Sequence, residues 1–129
     1  MKSKNWDILI IDGDGDFRSA LSALLSEAGY AVRQARTCAA GLSEIHRDPP
    51  SLVMCALSSP ELSGFELLKI LRARPQSERI PVAVISRFGF GWEAAFVGAE
   101  GSVEKPLQPA AVLALVERLL QEPERRLFH

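Results

Sequence analysis

Three polar side chains stand where apolar runs end in this sequence. Asp12 follows Ile8-Leu9-Ile10-Ile11, Ser86 follows Ile80 to Ile85, and Lys105 follows Ser102-Val103-Glu104. A carboxylate and an ammonium brought to one place form an ion pair when water is shut out, and count for little when both stay solvated at a rim. We expect Asp12 and Lys105 to pair. A fourth run, Leu52 to Leu57, carries Ala56 near its end, and a methyl group is no nucleophile. Gly13, next to Asp12, adds no second carboxylate. Asp14 is close in sequence, but its expected role is to cap a helix.

The remaining candidates carry less chemistry. Cys38, Cys55 and His46 have no metal-ligand spacing, so no metal site is expected from them. His46 precedes Arg47-Asp48 at the end of a helical pattern, where a favourable interaction with the helix dipole is the simpler role. Gly13-x-Gly15 after a strand is half of a dinucleotide fingerprint without its third glycine. Ser58 and Ser59 read as turn residues, not substitute acceptors, and His129 is assigned nothing. Phe88, Phe90 and Trp92 fall within Arg87 to Trp92, interleaved with Gly89 and Gly91. That stretch is too glycine-rich for a stable helix. Its aromatics either fold inward over the core or face outward as anchors for a partner.

These residues need a scaffold, and the chain supplies one by alternation. Ile8–Ile11, Tyr30–Ala35, Leu52–Leu57, Ile80–Ile85 and Ser102–Glu104 read as strands. Between them lie helical patterns. Phe17, Leu21, Leu24 and Ala28 define the first, with Asp14 or Asp16 as cap and Gly29 as closure. Thr37 caps the second, which carries Cys38, Leu42 and Ile45 and stops before Pro49-Pro50. Ser63-Gly64-Phe65-Glu66 has capping-box spacing, with Phe65, Leu68 and Leu71 as the apolar stripe. Trp92 to Val97 allows only a short fourth helix. Pro109 opens the last one, whose buried face is Val112, Leu115, Val116 and Leu119 and which Pro123 ends.

Five strands alternating with helices imply a parallel sheet covered on both faces, an α/β three-layer sandwich. The flavodoxin-like order 2-1-3-4-5 suits such units. It brings Asp12, Ala56, Ser86 and Lys105 to one mouth. Residues 1–122 are expected to form the domain and 123–129 a tail or the start of a linker.

Composition narrows the function. The 129 residues are 47% hydrophobic and 24% charged, with a net charge of −1. That is globular, and it lacks the concentrated basic face that DNA binding requires. Two cysteines, one in an apolar run, argue against a disulfide framework and for a reducing cytoplasm. No apolar stretch is long enough for a membrane span, so no membrane partner is expected.

From about Ile8 to Leu120 the sequence resembles a response-regulator receiver domain of two-component signalling. The carriers are Ile8-Leu9-Ile10-Ile11-Asp12, Pro60-Glu61-Leu62-Ser63-Gly64-Phe65-Glu66-Leu67-Leu68, Ile80-Pro81-Val82, Ser86, Gly98-Ala99 and Lys105-Pro106. The resemblance implies a CheY-like fold and a phosphoryl-transfer site. In that site two adjacent acids hold Mg²⁺, an aspartate accepts the phosphoryl group, a hydroxyl and a lysine bind it, and an aromatic on the fifth strand switches inward. The lysine is usually followed by a cis peptide bond.

The match is partial. Asp12 takes the first acidic position, Gly13 the second, Ala56 the acceptor, Ser86 the hydroxyl, Lys105 the lysine and Ser102 the switching aromatic. The interval from Ser86 to Gly98 is also short, so the fourth helix should be reduced or absent. We therefore expect a pseudo-receiver that is not an enzyme, takes no cofactor and binds Mg²⁺ weakly or not at all. It would act by protein–protein contact, with a partner or as a homodimer, around strands four and five and the last helix. Phe88, Phe90, Trp92 and Ser102 are the candidate surface. The competing readings are a working acceptor that uses a non-standard acid such as Asp14, and a small-molecule site at the strand-end crevice.

Overall fold

A computed structural model describes residues 6–87 and 98–126, with side chains given as far as residue 121. Five parallel strands form one sheet of order β2-β1-β3-β4-β5, as the alternation predicts. They are β1 (Asp7–Ile11), β2 (Ala31–Ala35), β3 (Leu52–Ala56), β4 (Val82–Arg87) and β5 (Gly101–Lys105). Among the described residues there are four helices: α1 (Gly15–Glu27), α2 (Cys38–Arg47), α3 (Gly64–Arg72) and α4 (Pro109–Arg126). The expected short helix between β4 and β5 lies outside the described residues, as do Phe88, Phe90 and Trp92.

Side chains of a strand alternate between faces, and the two cores divide accordingly. Ile8, Ile10, Leu52, Met54, Ala83, Ile85 and Val103 point to the face covered by α1 and α4, through Phe17, Leu21, Leu25, Val112, Val116 and Leu119. Leu9, Ile11, Val53, Cys55 and Val82 point to the other, covered by α2 and α3 through Cys38, Ile45, Leu67, Leu68 and Leu71. Each fully buried leucine or isoleucine stabilises the fold by about 1.5–3 kcal/mol relative to exposure. Strands buried on both faces read as unbroken apolar runs, which is why β1 and β3 were so legible.

The caps fall where the sequence puts them. The Asp14 side chain accepts from Phe17 N and Thr37 from Ala40 N, while Ser63 and Glu66 complete a capping box. Gly29, at φ +102°, closes α1 in the left-handed region that favours glycine.

Four expectations need correction. Phe65 is 43% exposed. The buried stripe of α3 is Gly64, Leu67, Leu68 and Leu71, a spacing of 0, 3, 4 and 7 that places Phe65 on the rim. Strand β4 starts at Val82, because Ile80 N is spent on the turn carbonyl of Ser77 and Pro81 has no donor. On α4, Leu115 is only partly buried and Leu120 joins the core in its place. Helix α4 also runs past Pro123 to Arg126. A proline φ is helical, and so near the end its missing N–H removes one bond with little helix left to break. The boundary expected after residue 122 thus falls inside this helix.

At the end of the sheet opposite the helix-capping loops, Arg72 ties three elements together. Its guanidinium donates to Ile80 O at 2.7 Å and Glu78 O at 3.1 Å, and forks onto Glu100 at 2.7 and 2.9 Å. Glu100 in turn accepts from Val82 N at 2.7 Å.

Candidate functional site

Register fixes what meets at the C-terminal ends of the strands. Ile11 pairs with Cys55, Ala56 with Ile85, and Arg87 with Lys105. Asp12, one residue past β1, is anchored by its own N–H to Ala35 O at 3.1 Å. A pocket of about 330 Å³ opens there, lined by Asp12, Ala56, Ser86 and Lys105, the four residues predicted to converge, together with Leu57, Ser58, Ile85 and Arg87. Gly13 is not among the lining residues, but a β-carbon added to it would meet only Arg36 O at 3.7 Å, an ordinary contact.

Asp12 is 4% exposed and divides its two oxygens. Oδ1 accepts from Asp14 N at 2.9 Å. Oδ2 lies 3.1 Å from Lys105 Nζ, close enough for charge pairing but without hydrogen-bond alignment. The expected ion pair is therefore present and its carboxylate is buried. Lys105 Nζ also lies 3.4 Å from Asp14 Oδ2 and 4.9 Å above the Phe17 ring, where a cation is attracted by the aromatic face. The Lys105–Pro106 peptide bond is cis, as the resemblance implies.

Asp14 thus does two things at once. The Phe17 amide holds its carboxyl below the usual carboxylate range; burial pushes the other way, and the Lys105 charge adds to the lowering. The sequence shows the cap but not the link to Lys105. The first turn of α1 folds over the strand ends and brings Asp14 to a lysine 91 residues away, with Phe17 beside it. Arg87, which also lines the pocket, was missed; its signal was its place directly after Ser86 at the end of a strand. Ser86 is buried, and its hydroxyl has no hydrogen-bond partner among the described residues.

Other candidates fall elsewhere. Ser102 faces a second, smaller hollow of about 140 Å³ between β5 and α4, with Val103, Glu104, Gln108, Ala111 and Val112. Ser59 Oγ accepts from Cys38 N at 3.0 Å, which ties the loop after β3 to the first residue of α2. Cys38 and Cys55 are free thiols, and burial pushes both up from the ordinary thiol range. His46 lies in the last turn of α2, where its contact is the Arg74 guanidinium. No group of three His, Cys, Asp or Glu side chains among the described residues could hold a metal ion. No described helix is long and apolar enough to cross a membrane.

The sequence pattern of the response regulator receiver domain matches residues 8–117. A 14.6 kDa protein of Leptolyngbya boryana is 30% identical over 115 residues, covering 87% of this chain and 88% of its own length. The DNA-binding transcriptional regulator NtrC of Rhizobium meliloti is 31% identical over 120 residues; the match takes in 92% of this chain but 25% of that regulator. Among solved structures, the receiver domain of NtrX from Brucella abortus superposes with a TM-score of 0.81 at 29% identity, over 89% of this chain and 98% of that one.

Proposed function

Because this chain belongs to the response regulator receiver domain family, we propose that it is a phosphorylation-independent member, a pseudo-receiver that works by protein–protein contact and not as an enzyme. The observation that carries the reading is Ala56. It ends β3 on the pocket wall, between Asp12 and Ser86, where a phosphoryl acceptor would need an oxygen nucleophile. Asp14 is a poor substitute. One of its oxygens caps α1, and Asp14 is not among the residues that line the pocket. Mg²⁺ fits the pocket badly as well. The ion favours several oxygen ligands in near-octahedral geometry, and the buried floor offers the single carboxylate of Asp12, already faced by a lysine.

The full chain, incubated with acetyl phosphate and Mg²⁺ and weighed intact, is expected to show no added mass. A stoichiometric, hydroxylamine-labile adduct would overturn the reading.

A fixed surface can still bind. The hollow beside Ser102, between β5 and α4, supports a contact face there, with a protein partner or a second copy of the chain as its occupant. Phe88, Phe90 and Trp92 belong to the segment that joins β4 to β5. Alanine at each position is expected to weaken association by about 2 kcal/mol or more for at least one ring. The same change should move folding stability by no more than about 0.5 kcal/mol. Melting and self-association or pull-down on the same samples decide it. Large losses of stability at all three positions, with association intact, would make the rings core filler.

A further inference from the structure

We propose that the Lys105 ammonium is the resident cation of the strand-end pocket: it neutralises Asp12 and Asp14 from within the chain, so the pocket keeps its form whatever the Mg²⁺ concentration. The inference deepens the reading above, since it depends on residue 56 bringing no carboxylate to the pocket.

Three contacts fix the ammonium. It lies 3.1 Å from the buried Asp12 Oδ2, 3.4 Å from Asp14 Oδ2 and 4.9 Å above the Phe17 ring. Its backbone is held by the pairing of Arg87 with Lys105 at the end of the sheet. Ala56 lines the same pocket with a methyl group, so residue 56 offers no second anion to draw the lysine away. A divalent ion reaching Oδ2 from the pocket side would need a Mg–O distance of about 2.0–2.1 Å. Lysine occupies that side already. The ion would have to lose water, displace the ammonium and repel it at close range, with one buried carboxylate as its return.

Asp12 Oδ2 makes no hydrogen bond among the described residues, so the charge of Lys105, 3.1 Å away, is what balances it there. Removing one partner of a buried pair leaves an uncompensated ion, which is far worse than removing both. That asymmetry gives the test. Lys105→Met keeps an unbranched apolar stem, one atom shorter, and drops the charge together with the ammonium's place over the Phe17 ring; Asp12→Asn removes the carboxylate. Melting of the full chain would be followed with and without about 10 mM MgCl₂, a level at which even a weak site fills. Amide shifts of Gly13 to Gly15 would be followed alongside.

Wild type is expected to melt at the same temperature in both buffers. Lys105→Met should melt about 10 °C lower and recover several degrees with Mg²⁺, with saturable amide shifts. Asp12→Asn combined with Lys105→Met should regain most of the loss and ignore Mg²⁺. Should Lys105→Met fail to fold, a folded double variant supports the proposal and an unfolded one overturns it. A Lys105→Met protein that melts like wild type, or a wild type that Mg²⁺ stabilises as much as the variant, also overturns it. None of these measurements involves acetyl phosphate. Phosphoryl uptake by wild type would therefore defeat the proposed function, while this cycle would fail on its own terms.

Discussion

Gly13→Asp and Ala56→Asp introduced together are expected to raise Mg²⁺ affinity by about a hundredfold, against less than about tenfold for either change alone. Both sites accept the side chain. A β-carbon at residue 13 meets only Arg36 O at 3.7 Å, and residue 56 borders a pocket of about 330 Å³. One new carboxylate would be met by Lys105, which already sits 3.1 Å from Asp12 and can turn toward a second anion. Two new carboxylates beside Asp12 exceed what one ammonium can neutralise, and a shared divalent ion becomes the better solution. The coupling is the point. A titration followed by calorimetry on wild type, both single variants and the double variant measures it, and purely additive gains would mean that residues 13 and 56 do not share a pocket. Ser102 still has no ring to repack, so structural change beyond the pocket should stay small even where metal binding returns.

A second large effect lies behind the site. Gly64→Ala is expected to destabilise the fold by about 3 kcal/mol, lowering the melting temperature by about 10 °C. A β-carbon there would stand 2.5 Å from Ala56 O and 2.8 Å from Leu57 Cα. Both are backbone atoms, and neither can rotate away as a side-chain tip could. The start of α3 must therefore lift off the end of β3, breaking the bond from Gly64 N to Leu57 O at 2.9 Å. Gly98→Ala is the control. Its φ of +80° makes alanine strained, yet among the described residues nothing lies within 4 Å of the added carbon. Its cost should stay near 1 kcal/mol. Equal melting losses in the two variants would show that conformation and not crowding governs residue 64.

The strand order and the meeting of Asp12, Ala56, Ser86 and Lys105 were legible because doubly covered strands announce themselves as apolar runs and parallel connections leave few topologies. Caps were legible for the same local reason: Asp14, Thr37 and Ser63 each serve an amide three residues on. Relations between distant surfaces were not. Nothing in the run around Asp14 shows that Lys105 will reach it, and nothing at Gly64 shows that a strand's carbonyl lies beneath it. Phe65 was misplaced for a subtler reason. Both Phe65-Leu68-Leu71 and Gly64-Leu67-Leu68-Leu71 fit helical spacing, and a glycine does not count as apolar in a pattern, although its lack of a side chain is what lets the helix come close.

The clamp made by Arg72 bears on how the sheet breathes. Among the described strands β5 is an edge, hydrogen-bonded along one side, and an edge strand ordinarily frays first, exchanging its amide hydrogens through small local openings. Here the residue just before it, Glu100, is bound both to the end of α3 through Arg72 and to the first residue of β4. Peeling β5 from that end then requires the α3 terminus to let go as well. The base of the edge strand is thereby recruited into the cooperative unit of the central sheet, and opening is directed toward the other end, where Lys105 stands.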